Sequence, residues 1–312
     1  MGTLIIVLTY IAYVFIVVVY TVKVLAWLRM PPHIRWDLYP VIHEEHYRYG
    51  GSYYEQQEWW KKPRPKNTWR SLLYSLKDNF TMGEYYERNR LYWLFLFPWH
   101  IGFIFIITFH ILCFFAAVAM YGGLDIGAVS AHLAGRVFYY VLLCTGGIAF
   151  IAGTFGSLGM PIIRLADRGL RTYAMPMNFF NYLFFFTVYG SGLLSWLVLD
   201  PNLDEYRTYW LGLITLTAPA LHTMTLIHII LFDIFLIYLP FTRSTHYITR
   251  ILAYYFIRWD DEPNLPGSDL ERQIAGLLGR KVSWEGNHIP TGKSWAEAAT
   301  ERGFPEGKKE KP

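Results

Sequence analysis

Four histidines stand in or at the end of long apolar runs, where an ionisable side chain is costly and usually kept for function. His100 and His110 share the run PWHIGFIFIITFHI, ten positions apart. At about 100° per residue they are separated by about 80° around a helix, one broad face. His228 and His246 are eighteen positions apart, a whole number of turns that places both on one stripe if a helix runs through them. Each segment therefore aims two imidazoles in one direction. A neutral imidazole nitrogen is a strong donor to iron in an apolar pocket, and a b-type haem takes two axial ligands of this kind. His222 lies about 240° around the helix from His228; it is an alternative outer ligand, or a partner for a haem propionate, a quinone or a neighbouring helix. A different chemistry is open to the same stretch, because His222, His228 and Asp233 could bind a metal ion or relay protons as a transporter does. The bland reading is a set of histidines satisfied by hydrogen bonds inside a bundle.

The elements that must carry these residues are membrane helices. Hydrophobic residues make up 54% of the 312 and aromatics 19%, and the apolar positions fall in unbroken runs. A hydrocarbon layer about 30 Å thick needs roughly 20 apolar helical residues. Five runs meet this: Leu4 to Trp27, Tyr92 to Met120, Val137 to Ile163, Phe179 to Leu199 and Trp210 to Leu239. An all-α bundle of five transmembrane helices is expected, embedded in a lipid bilayer and without a nucleic-acid partner. The first run has no basic stretch before it and is too long for a signal-peptide core, so it is expected to stay as a mature helix. Cys113 and Cys144 lie within apolar runs, where buried inert thiols are the expectation. No iron–sulfur or covalent-haem motif is present, so any cluster serving this chain is carried by another subunit.

Basic residues collect at alternate ends of the runs: along Arg29 to Arg90, at Arg164, Arg168 and Arg171, and at Arg243, Arg250 and Arg258. The other connections carry only Arg136, and Arg207 among Asp200, Asp204 and Glu205. The positive-inside rule puts the N-terminus outside and the C-terminus inside. Four parts follow: residues 1–28, the first span; 29–90, an inner insertion; 91–257, a four-helix core carrying the histidines; and 258–312, an inner tail. In the insertion, Trp69, Leu72, Leu73 and Leu76 form an apolar stripe suited to a helix lying on the membrane, and Thr81 with Glu84 a capping box. In the tail, Ser268 and Glu271 form a second capping box, followed by Leu270, Ile274, Leu277 and Leu278. Beyond it, Trp284, His288 and Trp295 stand in mixed charge without a core of their own, as in a segment ordered by a partner.

Alternation of the spans fixes the pairing. The second runs outward and the fifth inward, so His110 faces His228 near the outer side and His100 faces His246 near the inner side. The first helix separates its ligands by about 15 Å and the second by about 27 Å. Something must shorten the fifth helix, and Pro240, which lacks a backbone donor, is the place for a kink or break.

At these residues the chain resembles the gamma subunit of respiratory nitrate reductase, a five-span dihaem cytochrome b. The likeness rests on the HIG that starts at His100, the ten- and eighteen-residue spacings, LPFTRSTH from Leu239 to His246, WRS at Trp69 and the Gly146–Gly147 pair. It covers roughly Trp69 to Arg258. The run RLADRGLRTYAMPMNFFN, Arg164 to Asn181, and the tail GRKVSWEGNHIPTGKSW, Gly279 to Trp295, look like a sister branch. That branch comprises the cytochrome b subunits of the sulfite-reductase-linked DsrMKJOP complex and of related menaquinol-oxidising, heterodisulfide-reductase-like complexes. The resemblance implies two b haems, menaquinone as substrate, a cytoplasmic iron–sulfur partner resembling heterodisulfide reductase, further membrane and outer-side redox subunits, and a place in the cell membrane. Quinone chemistry needs a titratable group near the outer haem. His132 and Arg136 are the candidates, close to the family's quinol-site lysine although no residue matches it directly; anchoring of the helix end is the competing role for both.

Overall fold

The computed structural model describes residues 2–29, 80–248, 265–284 and 291–300, with a few single positions between 57 and 77. The chain divides into two units, one of Met1–Tyr20 with Leu72–Thr245 and one of Thr21–Ser71 with His246–Pro312. No strand occurs among the described residues. Five helices are long and apolar enough to cross a membrane. They are α1 (Gly2–Leu28), α3 (Arg90–Tyr121), α4 (Leu133–Ala166), α6 (Pro176–Leu194, continued by a π turn to Leu199) and α8 (Thr223–Tyr238, continued by a 3-10 turn to Phe241). The shorter α2 (Gly83–Arg88), α5 (Arg168–Thr172) and α7 (Asp204–Thr215) complete the first unit; α9 (Asp269–Leu278) and α10 (Trp295–Thr300) lie in the second. This is an all-α five-helix membrane bundle.

Glycines set the spacing between α3 and α4. A Cβ built on Gly102 would strike the backbone of Gly153, one on Gly156 the backbone of Trp99, and one on Gly159 the ring of Phe95. Each step forward along α3 is a step back along α4, so the two helices are antiparallel and in close backbone contact, as small residues permit in membranes. The other side of α4 takes Tyr189 against Gly153 and Trp196 against Gly147, which aligns α6 antiparallel to α4. Phe103 meets Phe235, and Tyr238 hydroxyl donates to Asn181 Oδ1 at 2.7 Å, placing α8 between α3 and α6. Thr9 reaches Asp233, and Phe15 reaches Phe241, so α1 runs parallel to α8 as five alternating spans require.

The fifth span differs from its expected bounds of Trp210 to Leu239. Residues 204–215 form the separate helix α7, and the transmembrane helix begins only at Thr223. The cause is Pro219: the residue before a proline is pushed out of helical conformation and proline gives no amide donor. Leu216 closes α7 in the left-handed region (φ 57°), as Leu203 opens it (φ 57°). Pro240 is where the α-helix gives way, to 3-10 turns at Leu239–Phe241 and Arg243–Thr245.

Two local readings are corrected by the structure. Thr81 does not cap α2, whose N-cap is Met82; its hydroxyl donates instead to Lys77 O at 2.8 Å. Cys113 is buried, whereas Cys144 is exposed on the outside of the helix bundle. Ser268 does cap α9, accepting the Glu271 amide at 3.1 Å, while the Glu271 carboxylate accepts the Gly267 amide at 2.5 Å. The proposed interfacial helix of the insertion falls mainly outside the described residues, as does His288.

Candidate functional site

His110 and His228 come together in the middle of the bundle. Their ring centroids are 5.9 Å apart and their planes 18° from parallel. His110 is 5% exposed and His228 fully buried. The Nε2 atom of each ring is enclosed without a hydrogen-bond partner. An orphaned buried nitrogen is unusual, because burying a polar atom without a partner costs a few kcal/mol. Two such atoms on facing rings point to a shared ligand.

The opposite ring nitrogen of His228 explains its orientation. Nδ1 lies 2.9 Å from the Val188 carbonyl oxygen and 3.2 Å from Ser191 Oγ. A carbonyl only accepts, so Nδ1 carries the proton and Nε2 the lone pair. Metal-ligating histidines are held this way, with the non-ligating nitrogen donating to a backbone carbonyl. Gly192 makes the approach to α6 feasible, since a Cβ there would meet His228 Cε1 at 2.9 Å and the Phe150 ring closer still. One turn on, Ser195 and Thr225 hydroxyls share a 2.7 Å hydrogen bond that ties α6 to α8.

The surroundings are aromatic. Phe232 stacks on His110 at 3.6 Å, and Phe150 and Tyr206 set their edges to His228 at 5.3 and 5.6 Å. A metal ion about 2 Å from each of two imidazole nitrogens holds the ring centroids roughly 6 Å apart. The donor pair, the fixed tautomer of His228 and the apolar enclosure suit these residues to holding a haem iron.

The remaining candidates are placed as follows. His100 is half-buried on α3, its Nδ1 3.0 Å from Leu96 O, which again leaves the lone pair on Nε2. His246 is exposed and opens the second segment of the other unit. His222 is not on a continuous helix with His228. It is the N-cap of α8, its side chain is 59% exposed, and it pairs with Glu205, whose carboxylate also accepts the His222 amide. Asp233 accepts from Thr9 Oγ1 at 2.6 Å. Among the described residues His222, His228 and Asp233 do not gather into a metal-binding group. His132 is exposed at the start of α4, and Arg136 donates to Ser130 O at 2.6 Å. Since Gly146 faces Phe109, Arg136 and His132 lie about 13 and 20 Å along α4 from the level of His110.

A polar cluster beside the pair was not read from the sequence. Arg207, 3% exposed, donates to Asn202 O at 2.7 Å, pairs with the exposed Asp204 and lies 5.5 Å over the Tyr139 ring. Tyr139 hydroxyl donates to Asn202 Oδ1 at 2.8 Å. Asp200 accepts the Asp204 and Glu205 amides at 2.7 and 2.9 Å, an anion on the start of α7 where the helix dipole favours it. Burial pushes the Asp200 carboxyl up from the ordinary carboxylate range, while those two amides pull it back. Asp200→Ala is expected to cost about 1–2 kcal/mol by leaving the amides uncapped, with Asp200→Asn nearly neutral; thermal unfolding of the purified protein measures both. The signal available in sequence was an arginine and an aspartate flanking a Pro–Asn turn between two apolar runs. No known protein family, curated protein or solved structure matches the chain.

Proposed function

We propose that the protein is a dihaem cytochrome b, the membrane subunit of a respiratory complex that carries electrons between the menaquinone pool and a cytoplasmic iron–sulfur subunit resembling heterodisulfide reductase. The observation that supports it is the buried His110–His228 pair, whose rings lie 5.9 Å apart and whose Nε2 atoms are both buried without a hydrogen-bond partner. When bound, two b haems supply one-electron redox centres inside the bilayer. His110 and His228 would hold the outer one, and His100 with His246 the inner one.

The chain's own groups have definite tasks in this reading. Val188 O and Ser191 Oγ orient His228 and keep its lone pair on Nε2. Phe232, Phe150 and Tyr206 exclude water from the pair. Arg207, paired with Asp204 and bonded to Asn202 O, fixes the turn that leads into α7 and so places Tyr206 against His228. Arg136 is committed to its own loop, which favours an anchoring role; His132, exposed at the same end, stays a candidate for proton exchange with quinone. The transporter reading loses ground because the site it requires is divided: His222 turns to Glu205 and Asp233 to Thr9.

Rapid mixing of the purified protein with a menaquinol analogue tests the quinone link. Both haem absorptions are expected to shift to the reduced form, and His132→Ala to slow that change with haem content intact. No reduction by quinol in a protein that dithionite reduces fully would exclude quinone as the electron donor, leaving only reduction of quinone to be assayed in reverse.

A further inference from the structure

A second buried polar group lies on the other side of α8, where α1, α7 and α8 meet. Asp233 is 1% exposed and Thr9 2% exposed. Thr9 Oγ1 donates to Asp233 Oδ2 at 2.6 Å and shares a 2.5 Å hydrogen bond with the Tyr209 hydroxyl. With its one proton given to the carboxylate, Thr9 must accept from Tyr209, so the chain reads Tyr209 to Thr9 to Asp233. Three separate helices contribute one link each. Tyr13 of α1 brings a further hydroxyl that is buried without a hydrogen-bond partner and interacts electrostatically with Asp233, Tyr209 and Cys113.

Asp233 has no ion-pair partner among the described residues. A carboxyl in a membrane helix without a counter-ion marks a functional group, most often one that exchanges protons or ions. Its hydrogen-bond partner is the Thr9 hydroxyl, and among the described residues Tyr209, Tyr13, Tyr10 and Cys113 are titratable side chains that interact electrostatically within this group. Hydroxyls relay protons without losing their own: Asp233 takes the Thr9 proton, Thr9 takes that of Tyr209, and Tyr209, 2% exposed, is the end at which a proton from solvent must enter. When the carboxyl takes up a proton, both hydrogen bonds of the chain reverse direction. The neighbouring residue Phe232 stacks on His110, which brings the carboxyl's helix segment against the candidate haem site.

We infer that Asp233, connected through Thr9 and Tyr209, is a proton-exchanging carboxyl that gains one proton from water when the outer haem site gains one electron from its reductant. The haem half of this inference rests on the proposed function; the carboxyl half does not. One added negative charge and one added positive charge then balance within the bundle.

Infrared spectroscopy reads the two halves apart. In the purified protein, with or without haem, a pH titration is expected to show a carboxylic C=O band that Asp233→Asn abolishes and Thr9→Val displaces. Thr9→Val keeps the test sound if the Asp233 variant folds poorly. An identical spectrum in both variants and the parent at every pH would overturn the carboxyl assignment. In the haem-loaded protein the outer potential is expected to fall by about 59 mV per pH unit, the one-electron equivalent of tenfold, across the range where that band titrates, and to be flat in Asp233→Asn. An equal slope in parent and variant overturns the coupling, even where the band is assigned. Absence of haem from the parent protein would instead refute the proposed function.

Discussion

His228→Ala is expected to remove one of two b haems and to leave the other in place. The ring it deletes is fully buried, held at Nδ1 by Val188 O, and 5.9 Å from the His110 ring. The neighbouring Phe232 and Phe150 rings carry no donor to replace that nitrogen, so in the proposed function the iron on that side loses its ligand while the bundle keeps its packing apart from a cavity. The pairing makes a sharper prediction through double variants. In the proposed function His110 and His228 serve one iron, so His110→Ala combined with His228→Ala should lose no more haem than either alone. His100→Ala combined with His228→Ala should lose both. Coupled residues are non-additive in this way and independent ones are additive. Haem content per chain, with circular dichroism as a check on folding, measures it. Loss of one haem in His222→Ala with two retained in His228→Ala would reassign the outer ligand, although the exposed His222–Glu205 pair gives no reason to expect it.

Gly102→Val is expected to empty both sites at once by forcing α3 and α4 apart. Its Cβ would run into the Gly153 backbone, with Ala149 O at 3.2 Å on the far side. Backbone atoms of a packed helix cannot step aside as the end of a flexible side chain can. Overpacking of this kind costs about 1–3 kcal/mol even for small groups, and α3 carries both His100 and His110. The control is Gly190, where a Cβ meets nothing closer than Phe186 at 3.9 Å; Gly190→Ala should change stability by no more than about 0.5 kcal/mol. Thermal unfolding in detergent together with haem content separates the two. Equal behaviour of the two variants would show that close contact of α3 and α4 is not what positions the ligands.

The five spans were legible because an apolar run long enough to cross a bilayer has few alternatives. Within α3, the angle between His100 and His110 could be counted because the helix is unbroken from Arg90 to Tyr121, despite Pro98. The same counting failed in the fifth span. The 240° assigned to His222 assumed a helix through it, yet Pro219 ends the helical path and His222 becomes an N-cap. Likewise the eighteen residues from His228 to His246 pass through two 3-10 turns, whose three residues per turn alter the count. Pro240 and Pro219 were both visible; only the first was given weight. What orients His228 was not legible at all. Its partners Val188 and Ser191 lie 40 and 37 residues away on another helix, and no local pattern encodes such a contact. Arg207 was read as a loop charge, but the short helix α7 folds it inward over Tyr139.

In the proposed function His110 and His228 hold one iron while a second site lies on α3 at His100. A pyridine haemochrome assay on the purified protein tests it most directly. About two b haems per chain are expected, falling to about one in His110→Ala and in His228→Ala. Protein that folds and carries no b haem, or that keeps two when either histidine is replaced, would contradict the account.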